Sequence, residues 1–363
     1  MPTSRPKSSD DAVAGIAAAT RQRLGKRQVE TLAARAAVDI DCFYTARTPA
    51  PGTGTGTGDE VLVLSCDGKG IVMRADAPRP ATAKAAPRPP PSSPPDCPKG
   101  DKRNREPIAE VGAVYDAVPA ARTPADILPA ADNDVAEPTP GPRTTNKWLV
   151  ASVVDNTADV VAQIFAETGH RDPTHARTWV TLVDGNHQIN QITAEARDRG
   201  VPVTIIIDFI HILEYLWKAT WSFHPEAGVR PHATPILAGK ATRVAGSTRS
   251  QATKAKPAPA QRASADTRAR YLTNKAAHLD YPTALQHRCP ITGVIEGASR
   301  HLVKNHMNIT STRWALHGTE AILKLRAARS NNDFDEYWNH HISQEKLRVH
   351  QSRYANNAVP QAT

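Results

Sequence analysis

Four carboxylates in this sequence stand beside strongly apolar segments, where negative charge needs a partner. Asp67, Asp184 and Asp208 lie at or just after the end of an apolar run that predicts a β-strand, and Glu296 stands at a predicted helix start. A carboxylate in such a place is costly unless it is paired, protonated or bound to a cation. Carboxylate oxygens suit Mg²⁺, and two such ions can hold both reacting oxygens of a phosphodiester.

Each of these residues also has a structural interpretation. Asp67 and Asp184 precede glycine, and an Asp-Gly pair is common in turns. Asp208 suits the cap of the helix that follows it, and Glu296 suits the positive end of a helix dipole. His211 would lie about one turn along from Asp208, where a lone histidine is more often structural. Composition and spacing alone leave both interpretations open.

The elements that must position these acids alternate between strand and helix. Two apolar runs around Asp67-Gly68 predict a β-hairpin, and the later order indicates an α/β fold with a mixed sheet flanked by helices. Acids at the carboxyl ends of such strands would share one crevice. The predicted strands are 60–65, 70–74, 108–115, 148–154, 178–183 and 203–207, and the predicted helices are 159–168, 187–199, 212–223, 298–307, 314–330 and 334–354.

The composition excludes several classes of protein. The 363 residues carry 45 Lys and Arg against 36 Asp and Glu, a formal charge of +9. Four cysteines lie far apart, which predicts neither a disulfide framework nor a zinc site. Neither a membrane-spanning apolar run nor a signal-peptide pattern is present, so we expect a cytoplasmic protein without a membrane partner.

Aromatic residues and prolines indicate how the chain is divided. Of 18 Phe, Trp and Tyr residues, 15 follow Asn146, so the earlier part is poor in core-forming side chains. Residues 13–37 predict one or two short helices, interpreted as an unattached fragment, and the nine prolines of 76–98 predict an extended insertion. The predicted parts are an amino-terminal helical segment with a Gly/Thr linker (1–58), a core (59–223), a basic insertion (224–280) and a helical carboxyl-terminal part (281–363).

The segment Val229–Arg270 carries nine Lys or Arg residues and one acid, Asp266. If these charges share one face, they would neutralise the phosphates of a nucleic acid. A solvated, partly disordered insertion without a partner is the alternative. Gly246-Ser247 and Pro257-Ala258-Pro259 would interrupt any helix here.

Long stretches of the chain resemble one family of proteins. They are TWVTLVDGNHQINQITAEARDRGVPVTIIIDFIHILEYLWKATWSF (178–223), ITGVIEGASRHLVKNHM (291–307), TSTRWALHGTEAILKLRAARSNNDFDEYW (310–338) and HISQEKLRVHQSRY (341–354), with LVLSCDGKGIVMR (62–74), 27–44 and 110–124. Together they resemble bacterial insertion-sequence transposases of the ISKra type, which belong to the DDE class and have a ribonuclease H-like catalytic fold. The resemblance extends from about residue 27 to 354.

The resemblance implies a role for each acid. Asp67, Asp184 and Glu296 would be the catalytic residues and would bind two Mg²⁺ (or Mn²⁺) ions for DNA cleavage and strand transfer. Asp208 and His211 match an accessory D-x-x-H motif, which would order the site or contact the scissile strand. The residues expected to contact DNA are Lys69, Lys240, Arg243, Arg249, Arg262, Arg300, Lys304 and Arg313.

The resemblance also implies partners, and it has departures. The partners would be double-stranded DNA, at the transposon ends and at the target, and further copies of the chain on that DNA. The basic insertion would be poorly ordered without DNA, and the protein would be associated with the bacterial nucleoid. Relatives usually have a more basic stretch at Asn305-His306, a glycine at Ser311 and a longer amino end. A catalytically silent DNA-binding remnant and a plain metal-dependent nuclease therefore stay open as alternatives.

Overall fold

A computed structural model of the chain describes residues 9–47, 60–71, 108–128, 139–184, 187–220, 230–307 and 315–351. Its centre is a mixed sheet of five strands in the order β3-β2-β1-β4-β5. β1 pairs antiparallel with β2, which pairs antiparallel with β3, while β4 and β5 run parallel to β1. The strands are β1 (Val61–Gly70), β2 (Ile108–Val118), β3 (Arg143–Ser152), β4 (Trp179–Val183) and β5 (Thr204–Ile207).

The first strand differs from its prediction. Asp67 and Gly68 do not form a turn, because both lie inside β1, where they pair with Val111 and Glu110 of β2. The predicted hairpin of 60–65 and 70–74 is therefore wrong, and residues 72–74 lie outside the described residues. The lack of a side chain at Gly68 has a packing reason, since a Cβ there would come within 2.8 Å of Ile108. Pairing with a distant strand has overridden the local Asp-Gly signal.

Helices cover both faces of the sheet. The described helices are α1 (Ser9–Thr20), α2 (Lys26–Ala36), α3 (Ile40–Ala46), α4 (Pro124–Ile127), α5 (Thr157–Arg171), α6 (His187–Arg199), α7 (Phe209–Thr220), α8 (Arg230–Leu237), α9 (Ala241–Ala255), α10 (Pro259–Asn274), α11 (Tyr281–Gln286), α12 (Ile295–Ser299), α13 (Asn305–Met307), α14 (Leu316–Ser330) and α15 (Phe334–Lys346). α5 packs on β1, β2 and β3, and α12 packs on β1 and β2. Among the described residues, no helix is both long and apolar enough to cross a membrane.

Two positions in β2 show why α5 and α12 lie on opposite faces. A Cβ on Gly112 would approach Ile164 and Val160 of α5 to 2.6 and 3.0 Å, so α5 packs directly on this glycine. Tyr115 is an odd number of residues away and points to the other face, because side chains alternate along a strand. There it lies against Gly293, just before α12.

Helix α2 packs on α14, and the Tyr337 hydroxyl donates a hydrogen bond to the Ala36 carbonyl, which corrects the prediction of an unattached fragment over residues 13–37. Ile40 and Phe43 of α3 form a small second core with Tyr337 of α15. Beside it, the Asp39 carboxylate accepts two hydrogen bonds from Arg348, of 2.7 and 2.8 Å, and lies 2.6 Å from His341 Nδ1. These three residues, here called the Asp39 clamp, join residues that lie about 300 positions apart in the chain.

The basic insertion forms a packed pair of helices, which differs from the expected poor order. Helices α9 and α10 pack against each other, and five of their alanines are buried (Ala241, Ala245, Ala252, Ala265 and Ala269). Gly246 lies inside α9 without ending it. Pro257 lies in the short connection between α9 and α10, and Pro259 is the first residue of α10. Small side chains let the two helices approach closely and leave the basic residues on the outside.

Candidate active site at the carboxyl edge of the sheet

The register of the parallel strands brings three aspartates into one row. Ser65 of β1 lies opposite Leu182 of β4, so two residues further on Asp67 lies beside Asp184. Val183 lies opposite Ile207 of β5, which places Asp208 next in line. The Asp208 N–H donates to the Val183 carbonyl at 2.8 Å and so continues this ladder. Neighbouring strands are about 4.8 Å apart, and residues in one row point to the same face of the sheet.

Helix α12 brings the fourth acid to this row. The Lys69 ammonium lies 3.2 Å from Asp67 Oδ2 and 3.0 Å from Glu296 Oε2. One lysine therefore contacts both acids, and their oxygens lie within two hydrogen-bond lengths of each other. Ser299, also on α12, donates to Asp67 Oδ2 at 3.0 Å. The structure thus brings together Asp67 and Glu296, which are far apart in the sequence.

Asp208 connects the row to the segment that precedes Glu296. One oxygen of its buried carboxylate accepts from the N–H of Ile210, as a helix cap does, and the other accepts from the N–H of Gly293, both at 2.9 Å. The Phe209 N–H donates to the Ile291 carbonyl at 2.9 Å. The cap interpretation of Asp208 is therefore confirmed, and the second bond adds a positioning role for the backbone before α12.

Close packing makes this connection tight. A Cβ on Gly293 would lie 3.0 Å from the Tyr115 hydroxyl and 3.1 Å from Leu182, both of which are fully buried. Ser65 lies on the same side, 3.5 Å from that Cβ position. Tyr115 and Ser65 belong to no sequence motif, because they matter through their closeness to a loop more than 170 residues away. Gly293 therefore lets the chain pass directly over the sheet.

The electrostatics of the row favour a cation. Burial raises the pKa of Asp67, as does the nearby charge of Asp184, although contacts with Lys69 and Ser299 oppose the rise. Burial raises the pKa of Asp208 to about 6, against its two backbone hydrogen bonds and with a contribution from Glu296. Carboxylates whose pKa rises in this way hold negative charge at a cost. Such groups are concentrated at functional sites.

An aromatic cluster joins the basic insertion to the row. Tyr271 of α10 donates a hydrogen bond of 2.5 Å to the backbone carbonyl of Asp184. Its ring stacks on Tyr215 of α7 at 4.4 Å, and His211 lies 5.0 Å from the Tyr215 ring. His211 thus lies close to two tyrosine rings. Tyr271 was missed in the sequence because it belongs to no motif.

The donor set fits a divalent metal ion by its chemistry. Asp67, Asp184 and Glu296 supply carboxylates, the hard ligands that Mg²⁺ and Mn²⁺ take. The Lys69 ammonium already lies as a cation between two of them, Asp67 and Glu296. Within the part of the chain that the structure describes, no three His, Cys, Asp or Glu side chains are yet close enough to form a metal-binding group. These residues are therefore of the type that binds such an ion, while in this structure the Lys69 ammonium neutralises Asp67 and Glu296.

The residues expected to contact DNA fall into three groups. Lys240, Arg243 and Arg249 of the α9 region are exposed, while Arg262 of α10 pairs with Asp266 at 2.9 Å. Arg300 and Lys304 are exposed on a π-helical turn that follows α12. Lys69 of β1 pairs with Asp67 and Glu296. Arg313 lies outside the described residues.

The row, with Glu296 held beside it by Lys69, is the candidate site. Comparison with known proteins finds no match: no family model, no curated protein and no solved structure is similar to this chain.

Proposed function

We propose that the chain is a DDE-class transposase with a ribonuclease H-like fold, which cleaves DNA and transfers a DNA strand with the help of divalent metal ions. The observation that carries the proposal is the row of Asp67 and Asp184 in register across β1 and β4, with Glu296 brought to Asp67 through Lys69. The five-stranded mixed sheet and its flanking helices support the fold.

The acids have assigned roles in this proposal. Asp67, Asp184 and Glu296 would hold two Mg²⁺ or Mn²⁺ ions, which when bound would activate the attacking oxygen and stabilise the leaving oxygen of a phosphodiester. Asp208 would hold the backbone of Gly293 and so keep α12 beside β1. Asp208 would thus act by holding the backbone that precedes Glu296, which makes it a positioning residue.

The basic residues would bind the substrate. Lys240, Arg243 and Arg249 are exposed and would contact phosphates of double-stranded DNA, as would Arg300 and Lys304 beside α12. Such contacts make affinity strongly dependent on salt. The packed pair of α9 and α10 presents its charges on a preformed surface, and Tyr271 fixes that surface to the strand end that carries Asp184. Further copies of the chain would assemble on paired DNA ends in the nucleoid.

One observation favours a second candidate, a DNA-binding remnant without catalysis. The Glu296 side chain is 46% exposed and paired with Lys69, and the described residues contain no preformed metal-binding group. A remnant would keep the basic surface and would not cleave. A plain nuclease would cleave but would not join the product to a target.

The test uses DNA that flanks the gene, because an insertion sequence surrounds its transposase gene. Purified protein is mixed with this DNA and Mg²⁺ or Mn²⁺, and both binding and cleavage are measured. We expect Asp67→Ala to abolish cleavage and to leave binding nearly unchanged, while Asp198→Ala, on the exposed surface of α6, leaves both unchanged. Binding without cleavage in the wild type would favour the remnant. Cleavage without joining of a pre-cut end would favour the nuclease.

A further inference from the structure

Lys69 reaches both acids because of its position in β1. It lies two residues after Asp67, so the two side chains point to the same face of the sheet. From there its ammonium contacts Asp67 Oδ2 at 3.2 Å and Glu296 Oε2 at 3.0 Å. The Lys69 side chain is 31% exposed. The ammonium therefore lies between the two acids on a side chain that is partly exposed to solvent.

The Lys69 ammonium places one positive charge between two carboxylates. The Ser299 hydroxyl also donates to Asp67 Oδ2, at 3.0 Å, and Asp184 lies beside Asp67 in the row. Without Lys69, the negative charges of these carboxylates would repel one another more strongly. The lysine thus stabilises the arrangement of the acids.

A divalent cation and the Lys69 ammonium would need the same oxygens. Asp67 Oδ2 and Glu296 Oε2 are the atoms that Lys69 contacts, and two cations cannot share them closely without strong repulsion. Lys69 sits on a long flexible side chain that can turn toward solvent. Turned outward, it would lie beside the acids, where a DNA phosphate would have to be bound for cleavage.

We propose that Lys69 exchanges partners: it bridges Asp67 and Glu296 while no divalent ion is bound, and it pairs with a DNA phosphate once a divalent ion holds those two carboxylates. This inference rests on the proposed function. It explains how one lysine can serve both as an internal counter-ion and as a DNA contact, and it couples the binding of metal to the binding of DNA.

The chain contains a matched control for this lysine. Lys324 of α14 also lies between two carboxylates, at 2.7 Å from Asp41 and 3.5 Å from Glu320. Its partners are outside the row of aspartates. Lys324→Met therefore removes an ammonium from between two acids without touching the candidate site, and Lys69→Arg keeps the charge in place.

The first measurement is the affinity for Mn²⁺ by calorimetry, without DNA. We expect Lys69→Met to bind Mn²⁺ about fivefold more tightly than the wild type, as suits removal of a partly exposed ion pair. Lys324→Met should bind like the wild type, and Lys69→Arg, which keeps the positive charge, should not bind more tightly than the wild type. Equal affinity in the wild type and Lys69→Met would overturn the exchange alone. Absence of saturable Mn²⁺ binding in the wild type would overturn the proposed metal site itself.

The second measurement is the salt dependence of DNA affinity, and it remains decisive if Lys69→Met alters stability. With Ca²⁺ present, the wild type should show a slope of log affinity against log salt that is steeper by about one than that of Lys69→Met, because one phosphate contact is lost. Without divalent ions the two slopes should agree. Slopes that differ equally in both conditions, or in neither, would contradict the exchange of partners.

Discussion

Two carboxylate clusters in this molecule have opposite electrostatic character. In the Asp39 clamp, hydrogen bonds from Arg348 and His341 together lower the pKa of Asp39 to about 2, against the effect of burial. At the carboxyl edge of the sheet, burial raises the pKa of Asp208 to about 6 and also raises that of Asp67. The fold therefore stabilises the ionised form of Asp39, whereas it disfavours the ionised forms of Asp208 and Asp67.

The difference shows which cluster holds the fold together and which is available for chemistry. Asp39 uses both its oxygens on the fork of Arg348, a geometry that gives strong and specific pairing. Lys69 shares one ammonium between Asp67 and Glu296, and it is the more easily displaced of the two cations. We infer that the Asp39 clamp holds the amino-terminal helices in place, while the carboxylates of the row are available to bind a ligand.

The largest expected difference between the two clusters is in how much the loss of one acid from each changes the free energy of unfolding. Asp39→Ala is expected to lower the free energy of unfolding by about 2 kcal/mol, since it leaves the buried His341 of α15, and Arg348 just after α15, without their acid. Asp184→Ala should change it by less than about 0.5 kcal/mol, because it removes a like charge from beside Asp67 and retains the backbone carbonyl that Tyr271 contacts. Urea denaturation measures both values. A larger loss in Asp184→Ala than in Asp39→Ala would reverse the roles of the two clusters.

The two clusters should also respond to pH in opposite directions. The Asp39 pKa lies below its ordinary 3.8, so its stabilisation is present above about pH 4 and is lost as the pH falls toward 2. The Asp208 pKa lies above 3.8, so the folded state is favoured below about pH 4 and loses up to about 3 kcal/mol as the pH rises toward 6.

Unfolding free energies between pH 2 and 7 test these slopes. Asp208→Asn should flatten the change between about pH 4 and 6, and Asp39→Asn should flatten the change below about pH 4. Each variant serves as the control for the other, since each should leave the other window as it is in the wild type. The raised pKa of Asp208 would be contradicted if the unfolding free energy changed between about pH 4 and 6 by the same amount in the wild type and in Asp208→Asn.

A smaller effect should distinguish Tyr271 from the residue it stacks on. Tyr271→Phe keeps the ring but removes the hydrogen bond to the Asp184 carbonyl, at a cost of about 1 kcal/mol in unfolding free energy. Tyr215→Phe keeps the same stacked pair and should have little effect on stability. DNA cleavage should fall in Tyr271→Phe more than in Tyr215→Phe. Equal effects would mean that Tyr271 contributes packing alone.

Much of the sheet could be predicted because its signals are local. Continuous apolar runs mark β4 and β5, and both end at the aspartates that the strand pattern points to. The error in β1 arose where a local Asp-Gly signal competed with ten residue pairs formed with β2. Residues 72–107, which separate these two strands, lie outside the described residues. Pairing over such a distance leaves no trace in the spacing of nearby residues.

The contacts that define the candidate site were less predictable. Lys69 and Glu296 are 227 positions apart, so the sequence could not show that they meet. It did contain one signal, since Asp67 and Lys69 are two residues apart and share a strand face. The insertion contained another signal, because its alanines at helical spacing indicate a helix pair, whereas its charge and prolines favour an unordered segment.

If Asp67, Asp184 and Glu296 bind divalent metal ions, anomalous X-ray scattering from crystals grown with Mn²⁺ should locate the ions at the carboxyl edge of the sheet. We expect an anomalous peak that contacts the carboxylates of Asp67 and Asp184, with the Lys69 ammonium turned away from Asp67. The same crystals of Asp184→Ala should lack the peak. A wild-type map without a peak at this edge, with Lys69 still between Asp67 and Glu296, would contradict the account.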